Sequence, residues 1–140
     1  MELDTALSFV RDHRNGVLIT LKHDGRPQSS NIVYTVADDG RIRISITSGR
    51  AKYANIRRDG RVSLHVNADD FWSYAVVEAD AELSPVAAAP DDGTVEELIE
   101  MYRALQGEHP DWDDYRRAMV EDQRVVLTLR PTYAYGMVRA

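Results

Sequence analysis

The chain has 140 residues, 44% hydrophobic and 29% charged, with a formal net charge of −6, so one globular domain spanning residues 1–140 is expected and general nucleic-acid binding is disfavoured. The absence of cysteine excludes disulfides, thiolate metal sites, cysteine nucleophiles and iron–sulfur clusters, which leaves redox chemistry to a bound organic cofactor or to a metal held by other ligands. No apolar run approaches the roughly 20 residues of a membrane span, and the charged stretch Met1 to Arg14 lacks the apolar core of a secretory signal, so a soluble cytoplasmic protein without a membrane partner is expected.

Leu3, Ala6, Leu7 and Val10 recur at helical spacing, and Asn15-Gly16 reads as the stop of a short amphipathic helix. Two turn signals, His23-Asp24-Gly25 and Asp38-Asp39-Gly40, then separate three strands near 16–22, 28–37 and 41–47. In the third of these, Ile42, Ile44 and Ile46 alternate with Arg43, Ser45 and Thr47, which predicts one packed face and one polar face able to line a site. The pattern turns helical from Arg50 to Arg58. Val62, Leu64 and Val66 mark a fourth strand, and a fifth runs near 73–84. After an alanine linker between Pro85 and Pro90, Thr94-x-x-Glu97 resembles a capping box for a helix ending at Gly107. Asp111 caps a further helix over about 111–121, and Val125 to Leu129 forms a sixth strand, its regular part ended by Pro131 with Tyr133-Ala-Tyr135-Gly136 continuing extended. Two early hairpins favour an antiparallel barrel over a parallel sheet, whose strands need helical crossovers. The expected fold is mainly β: six antiparallel strands interrupted by helices.

The densest basic cluster is Arg50, Lys52, Arg57, Arg58 and Arg61, where the overall share of basic residues predicts one or two. It opens a helix behind Ser48-Gly49, so first-turn N–H groups and basic side chains are placed to converge on an anion such as a phosphate. A solvated helix face is the competing reading, and it suits Arg57, Arg58 and Arg61 better than Arg50 and Lys52. The polar run Gln28-Ser29-Ser30-Asn31 suits the polar edge of a heterocycle, or else the hydrogen bonding of a hairpin. Asp69-Asp70-Phe71-Trp72-Ser73-Tyr74 carries three aromatics into a strand, as core, interface or stacking groups. His13, His23, His65 and His109 show no metal-ligand spacing, and there is no nucleophile elbow, Walker A loop or dinucleotide fingerprint, so no metal is expected.

Taken in order, Lys22-His-Asp-Gly-Arg-Pro-Gln-Ser-Ser-Asn31, Arg50-Ala-Lys52 with Asn55-Ile-Arg-Arg-Asp59, and Trp72-Ser-Tyr74-Ala-Val with Glu78 resemble one family. It is the split β-barrel flavin/deazaflavin oxidoreductases of the pyridoxamine-phosphate-oxidase-like superfamily, in its B-type actinobacterial branch that uses coenzyme F420. The similarity extends to Ala87-Ala-Ala-Pro-Asp-Asp92, Gly107-Glu-His109 and Asp111-Trp-Asp-Asp-Tyr-Arg116.

The resemblance implies a six-stranded split barrel, a homodimer, and hydride transfer from reduced F420 to a small unsaturated or quinone-like acceptor. The alternatives are an oxidase using flavin mononucleotide (FMN) and a protein that binds F420 without turnover. By the same resemblance, Arg50 and Lys52 match the positions that hold the cofactor phosphate, and Gln28, Ser30, Asn31 and Ser45 match positions near the ring and ribityl chain. Trp72 and Tyr74 match aromatics that reach the site from the second subunit, and Arg57 is placed to assist with the acidic tail. No dedicated acid is required; if one acts, Tyr74 or a water is the candidate.

Overall fold

The computed structural model describes residues 1–139, and its strands form a single antiparallel sheet. In chain order the elements are α1 (Leu3–Arg11), β1 (Asn15–Leu21), β2 (Pro27–Val33), β3 (Thr35–Val36), β4 (Ile42–Thr47), α2 (Ala51–Arg58), β5 (Arg61–Asn67), β6 (Tyr74–Leu83), α3 (Gly93–Gln106), α4 (Trp112–Glu121) and β7 (Arg124–Met137). The strands are ordered β2-β1-β5-β6-β7-β4-β3. Its two edge strands, β2 and β3, are consecutive in the chain and separated only by Tyr34, so the sheet must curl until its ends meet. This is a split barrel, mainly β, with helices laid against it.

The strand count is seven rather than the expected six, because the segment read as one strand over 28–37 breaks at Tyr34. That residue is buried, its backbone N–H bonds Arg14 O, and its hydroxyl donates to Val10 O at 2.6 Å. Burial pushes its ionisation well above the usual tyrosine range, which keeps the hydroxyl a donor. The chain therefore changes edges at a pinned point instead of continuing straight.

Two smaller expectations are also corrected. The first helix stops at Arg11, capped by Asp12 in the αR region, and Asn15-Gly16 already belongs to β1. The cap of α3 is Asp92 rather than Thr94: Asp92 accepts from the N–H of Val95 and also of Ala88 and Ala89, whereas the Thr94 hydroxyl donates to Pro85 O. Beyond Pro131 the chain stays extended as expected, and β7 runs on to Met137 with a bulge beside the proline. Glu78 pairs with Tyr133 and Ala79 with Pro131, so Thr132 is the extra residue of the bulge.

Strand alternation builds two cores. Leu18, Ile42, Ile44, Ile46, Leu64 and Leu127 point into the barrel. Val126, on the opposite face of β7, instead packs beneath α3 and α4 with Val95, Leu98, Ile99, Met101 and Met119. The two helices thus cover the outer face of β4 and of the first part of β7. No helix of the described residues is long and apolar enough to cross a membrane.

Candidate functional site

A groove of about 610 Å³ opens at the split of the barrel, within the range of small-molecule sites. Its floor is the polar face of β4, where Ser45 and Thr47 stand between the inward isoleucines. Asn31 and Val33 of the edge strand β2 form one side, the α3–α4 hairpin forms the other, and the start of α2 closes one end with Arg50 and Lys52. The groove also takes in a residue that the sequence did not single out: Arg124 opens β7 cross-strand from Thr47 and lies on the outer face with Val126.

Three cations therefore converge, and among the described residues no aspartate or glutamate lines the groove. Burial, then the neighbouring charges of Arg50 and Arg124, hold the Lys52 ammonium below the ordinary lysine range. The hydrogen-bonding capacity of Arg124 is largely unused. Its Nε is buried without a hydrogen-bond partner, its Nη1 reaches Ser45 only at 3.4–3.5 Å, and Asp122 lies 3.9 Å away. Like charges held together in a partly desolvated groove are unfavourable unless an anion joins them. The donor set is one that a phosphate or carboxylate satisfies.

The position of α2 rests on a buried amide. Asn55 Nδ2 donates to Thr20 Oγ1 at 3.1 Å and to Gln28 Oε1 at 2.6 Å, while Asn55 Oδ1 accepts from Arg58, whose guanidinium also donates to Leu21 O. Every polar atom of the Asn55 carboxamide is satisfied, and the helix is tied to β1 and β2. Gln28 thus acts one step behind the groove, on the inner face of its strand.

The nine residues singled out from the sequence fall in four places. Asn31, Ser45, Arg50 and Lys52 line the groove together. Gln28 and Ser30 share the inward face of β2 with Ile32, opposite Asn31, because successive residues of a strand point to opposite faces. Arg57 is exposed on α2, with its guanidinium 5.8 Å from the Tyr53 ring centre. Trp72 and Tyr74 lie outside the groove of their own chain. Trp72 is 61% exposed at the β5–β6 turn beneath Arg139, and Tyr74 packs against His65 on the outer sheet face.

Comparison with known proteins accords with this geometry. The family model for pyridoxamine 5′-phosphate oxidase matches residues 3–137. The chain belongs to the pyridoxamine 5′-phosphate oxidase family. A solved F420 reductase aligns over 87% of this chain and 89% of its own, at 25% identity and a TM-score of 0.65. Two further structures share the fold: a conserved hypothetical protein of Mycobacterium tuberculosis at 23% identity and TM-score 0.73, covering 97% and 84% of the two chains, and a FAD-binding protein of Mesorhizobium loti at 19% and 0.69, covering 97% and 92%. The protein is thus a member of a flavin- and deazaflavin-binding split-barrel family that includes oxidoreductases. Among the described residues, no cluster of three or more histidine, aspartate or glutamate side chains is arranged to hold a metal.

Proposed function

We propose that the protein is an F420-dependent reductase that works as a homodimer, and the observation that carries this reading is the acid-free groove with its three converging cations. A cofactor bearing both a phosphate and a carboxylate tail matches a locally basic groove in an acidic protein better than FMN, which has no such tail. In reduced form F420 supplies a hydride. Arg50, Lys52 and Arg124 hold anionic groups at one end, Ser45, Thr47 and Asn31 offer hydroxyl and amide partners along the floor and rim, and the α3–α4 wall excludes water.

A second copy is implied by the uncovered outer face of the sheet. Val33, Tyr133, Tyr135 and Met137 are 44–58% exposed there, and Phe71 and Trp72 extend from the adjoining turn. Asn31 and Val33 line both the groove and a depression on this face formed with Val17, His65 and Asn67, so a partner seated there would wall the groove. Trp72 and Tyr74 would then reach the partner's site, and a proton from Tyr74 would have to cross between subunits. Light scattering at micromolar concentration is expected to return twice the chain mass; a monomer overturns the shared site.

Titration of the purified protein with F420 and with FMN, followed by cofactor fluorescence, tests the cofactor assignment. Binding of F420 with turnover of an acceptor is the expected result. Retention of stoichiometric yellow flavin through purification would instead establish an FMN oxidase, and tight F420 binding with no acceptor reduced would establish a carrier.

The Lys52 ammonium sets the pH dependence. A bound phosphate stabilises the charged form and raises its pKa again, so binding takes up a proton wherever the free amine is already deprotonated. Affinity is complete below the free-state pKa and is lost as pH climbs through it, starting below the ordinary lysine value of about 10.4. Lys52→Arg is expected to flatten this decline, and an unchanged profile in that variant would show that another group titrates.

A further inference from the structure

The groove has a second chemical character that the anion site leaves unexplained. Opposite the cations, α3 and α4 present Leu98, Met101, Tyr102, Leu105, Tyr115 and Met119. Two of these are rings in a closed box. Tyr102, His109, Trp112 and Tyr115 lie so that all six ring pairs are 5.1–5.6 Å apart between centroids, every one tilted or edge-on. Edge-to-face contacts in this range fix ring orientation as well as adding attraction.

The box is locked from outside the groove. Glu108 accepts from Trp112 Nε1 at 2.9 Å and from Arg103 Nε at 3.0 Å, and the Arg103 guanidinium lies 4.8 Å from the Trp112 ring centre. Nδ1 of His109 accepts from the N–H of Asp111, the residue that caps α4. His109 and Trp112 therefore act as backing for two rings that do face the groove. Of those two, Tyr115 already donates to Leu98 O at 3.2 Å, whereas Tyr102 donates to none of the described residues. A rigid aromatic wall with one uncommitted hydroxyl is suited to a flat acceptor that carries a hydrogen-bond acceptor at its edge.

We propose that the aromatic box is the acceptor-selecting wall of the site and that Tyr102 is its specificity-determining residue, which packs its ring edge against the acceptor and offers it the free hydroxyl. This rests on the F420 reading above. Tyr102 supplies an edge for packing and a hydroxyl for hydrogen bonding, and the box supplies the rigidity that makes both effective. The apolar Met101 and Leu105 on the same helix complete the contact with the acceptor's body. Cofactor affinity should be nearly indifferent to this wall, because its cationic anchors lie on other elements.

The experiment is calorimetric titration of menadione, as the probe carbonyl, into protein saturated with oxidised F420, with F420 affinity measured separately by fluorescence. For Tyr102→Phe, menadione binding is expected to weaken about two- to tenfold, the loss of one neutral hydrogen bond. For Tyr102→Ala the loss should exceed about tenfold, and for both the F420 Kd should stay within about twofold. Trp112→Leu, which leaves Tyr102 in place but removes its backing, should also weaken menadione binding. If wild-type protein binds F420 but not menadione, or if Tyr102→Phe and Tyr102→Ala bind menadione as the wild type does, the acceptor assignment falls and the cofactor reading stands. A parallel loss of F420 affinity in Tyr102→Phe makes Tyr102 part of the cofactor site and overturns the proposal. Failure of the wild type to bind F420 removes both.

Discussion

Removing Lys52 and Arg124 together is expected to weaken F420 binding by at least about a hundredfold while the protein stays folded. A charge-assisted hydrogen bond is worth roughly 1.5–3 kcal/mol, and every 1.4 kcal/mol is tenfold in Kd. Two such contacts would give more than a hundredfold if they were additive, but neighbouring charges couple, so the lower bound is the safer expectation. Both side chains are only partly buried, and Arg124 touches Ser45 and Asp122 at long range, so little stability is at stake. The double variant should also show a shallower dependence of affinity on salt, because fewer exposed charge contacts are being screened. Arg41→Ala is a suitable control, since Arg41 is paired with Asp39 at a distant turn. Fluorescence titration at two ionic strengths measures all three proteins, and a double variant within about threefold of wild type would remove the groove from the cofactor's path. Arg58→Ala is a poor control: Arg58 ties α2 to β1 through Leu21 O and Asn55, so its loss would move the anchors as well as the charge.

Gly136→Ala is expected to be the most damaging small substitution in the chain, costing about 2–4 kcal/mol. Gly136 lies in β7 opposite Ala75 with φ of 144°, where side chains are strained whatever the space. Space is lacking as well. An added Cβ would overlap the Tyr74 carbonyl oxygen and sit 2.9 Å from Ala75 Cα, and these backbone atoms cannot retreat without breaking the β6–β7 ladder. Thermal unfolding should show the midpoint falling by roughly 5–15 °C. The damage should also reach the assembly, because Tyr133, Tyr135 and Met137 share this strand end and face the surface assigned to the partner. Gly93→Ala, which meets nothing within 4 Å, is the matched control. Equal melting of the two variants would show that the strand end bends freely and is no fixed platform for a dimer.

Much of the architecture is local in origin and was legible along the chain. Ile42, Ile44 and Ile46 specify the buried face of β4, and the same alternation puts Ser45 and Thr47 on the face that floors the groove. Gly25 and Gly40 adopt φ of 86° and 91° at the two turns marked by Asp-Gly steps. The helix opened by Arg50 carries four of the five residues of the basic cluster, of which Arg50 and Lys52 reach the groove while Arg57 and Arg58 turn elsewhere. That division follows helical periodicity, but its direction depends on which side of α2 meets β1.

Periodicity, turn chemistry and the basic helix start can be read along the chain, because each depends on residues a few positions apart. Which distant groups meet is set by the folded sheet. Arg124 joins Lys52 because β7 pairs with β4 across the barrel, and no local pattern distinguishes it from the other arginines. Gln28 turns away from the groove because a strand sends alternate residues to opposite faces, and the satisfied amide of Asn55 waits for it on the inner one. Tyr102 and Tyr115, on separate helices, become a groove wall because α3 and α4 fold back over the sheet and close four rings against one another. Those contacts are long-range and cooperative, so their physical cause lies in the packed sheet and not in any one segment.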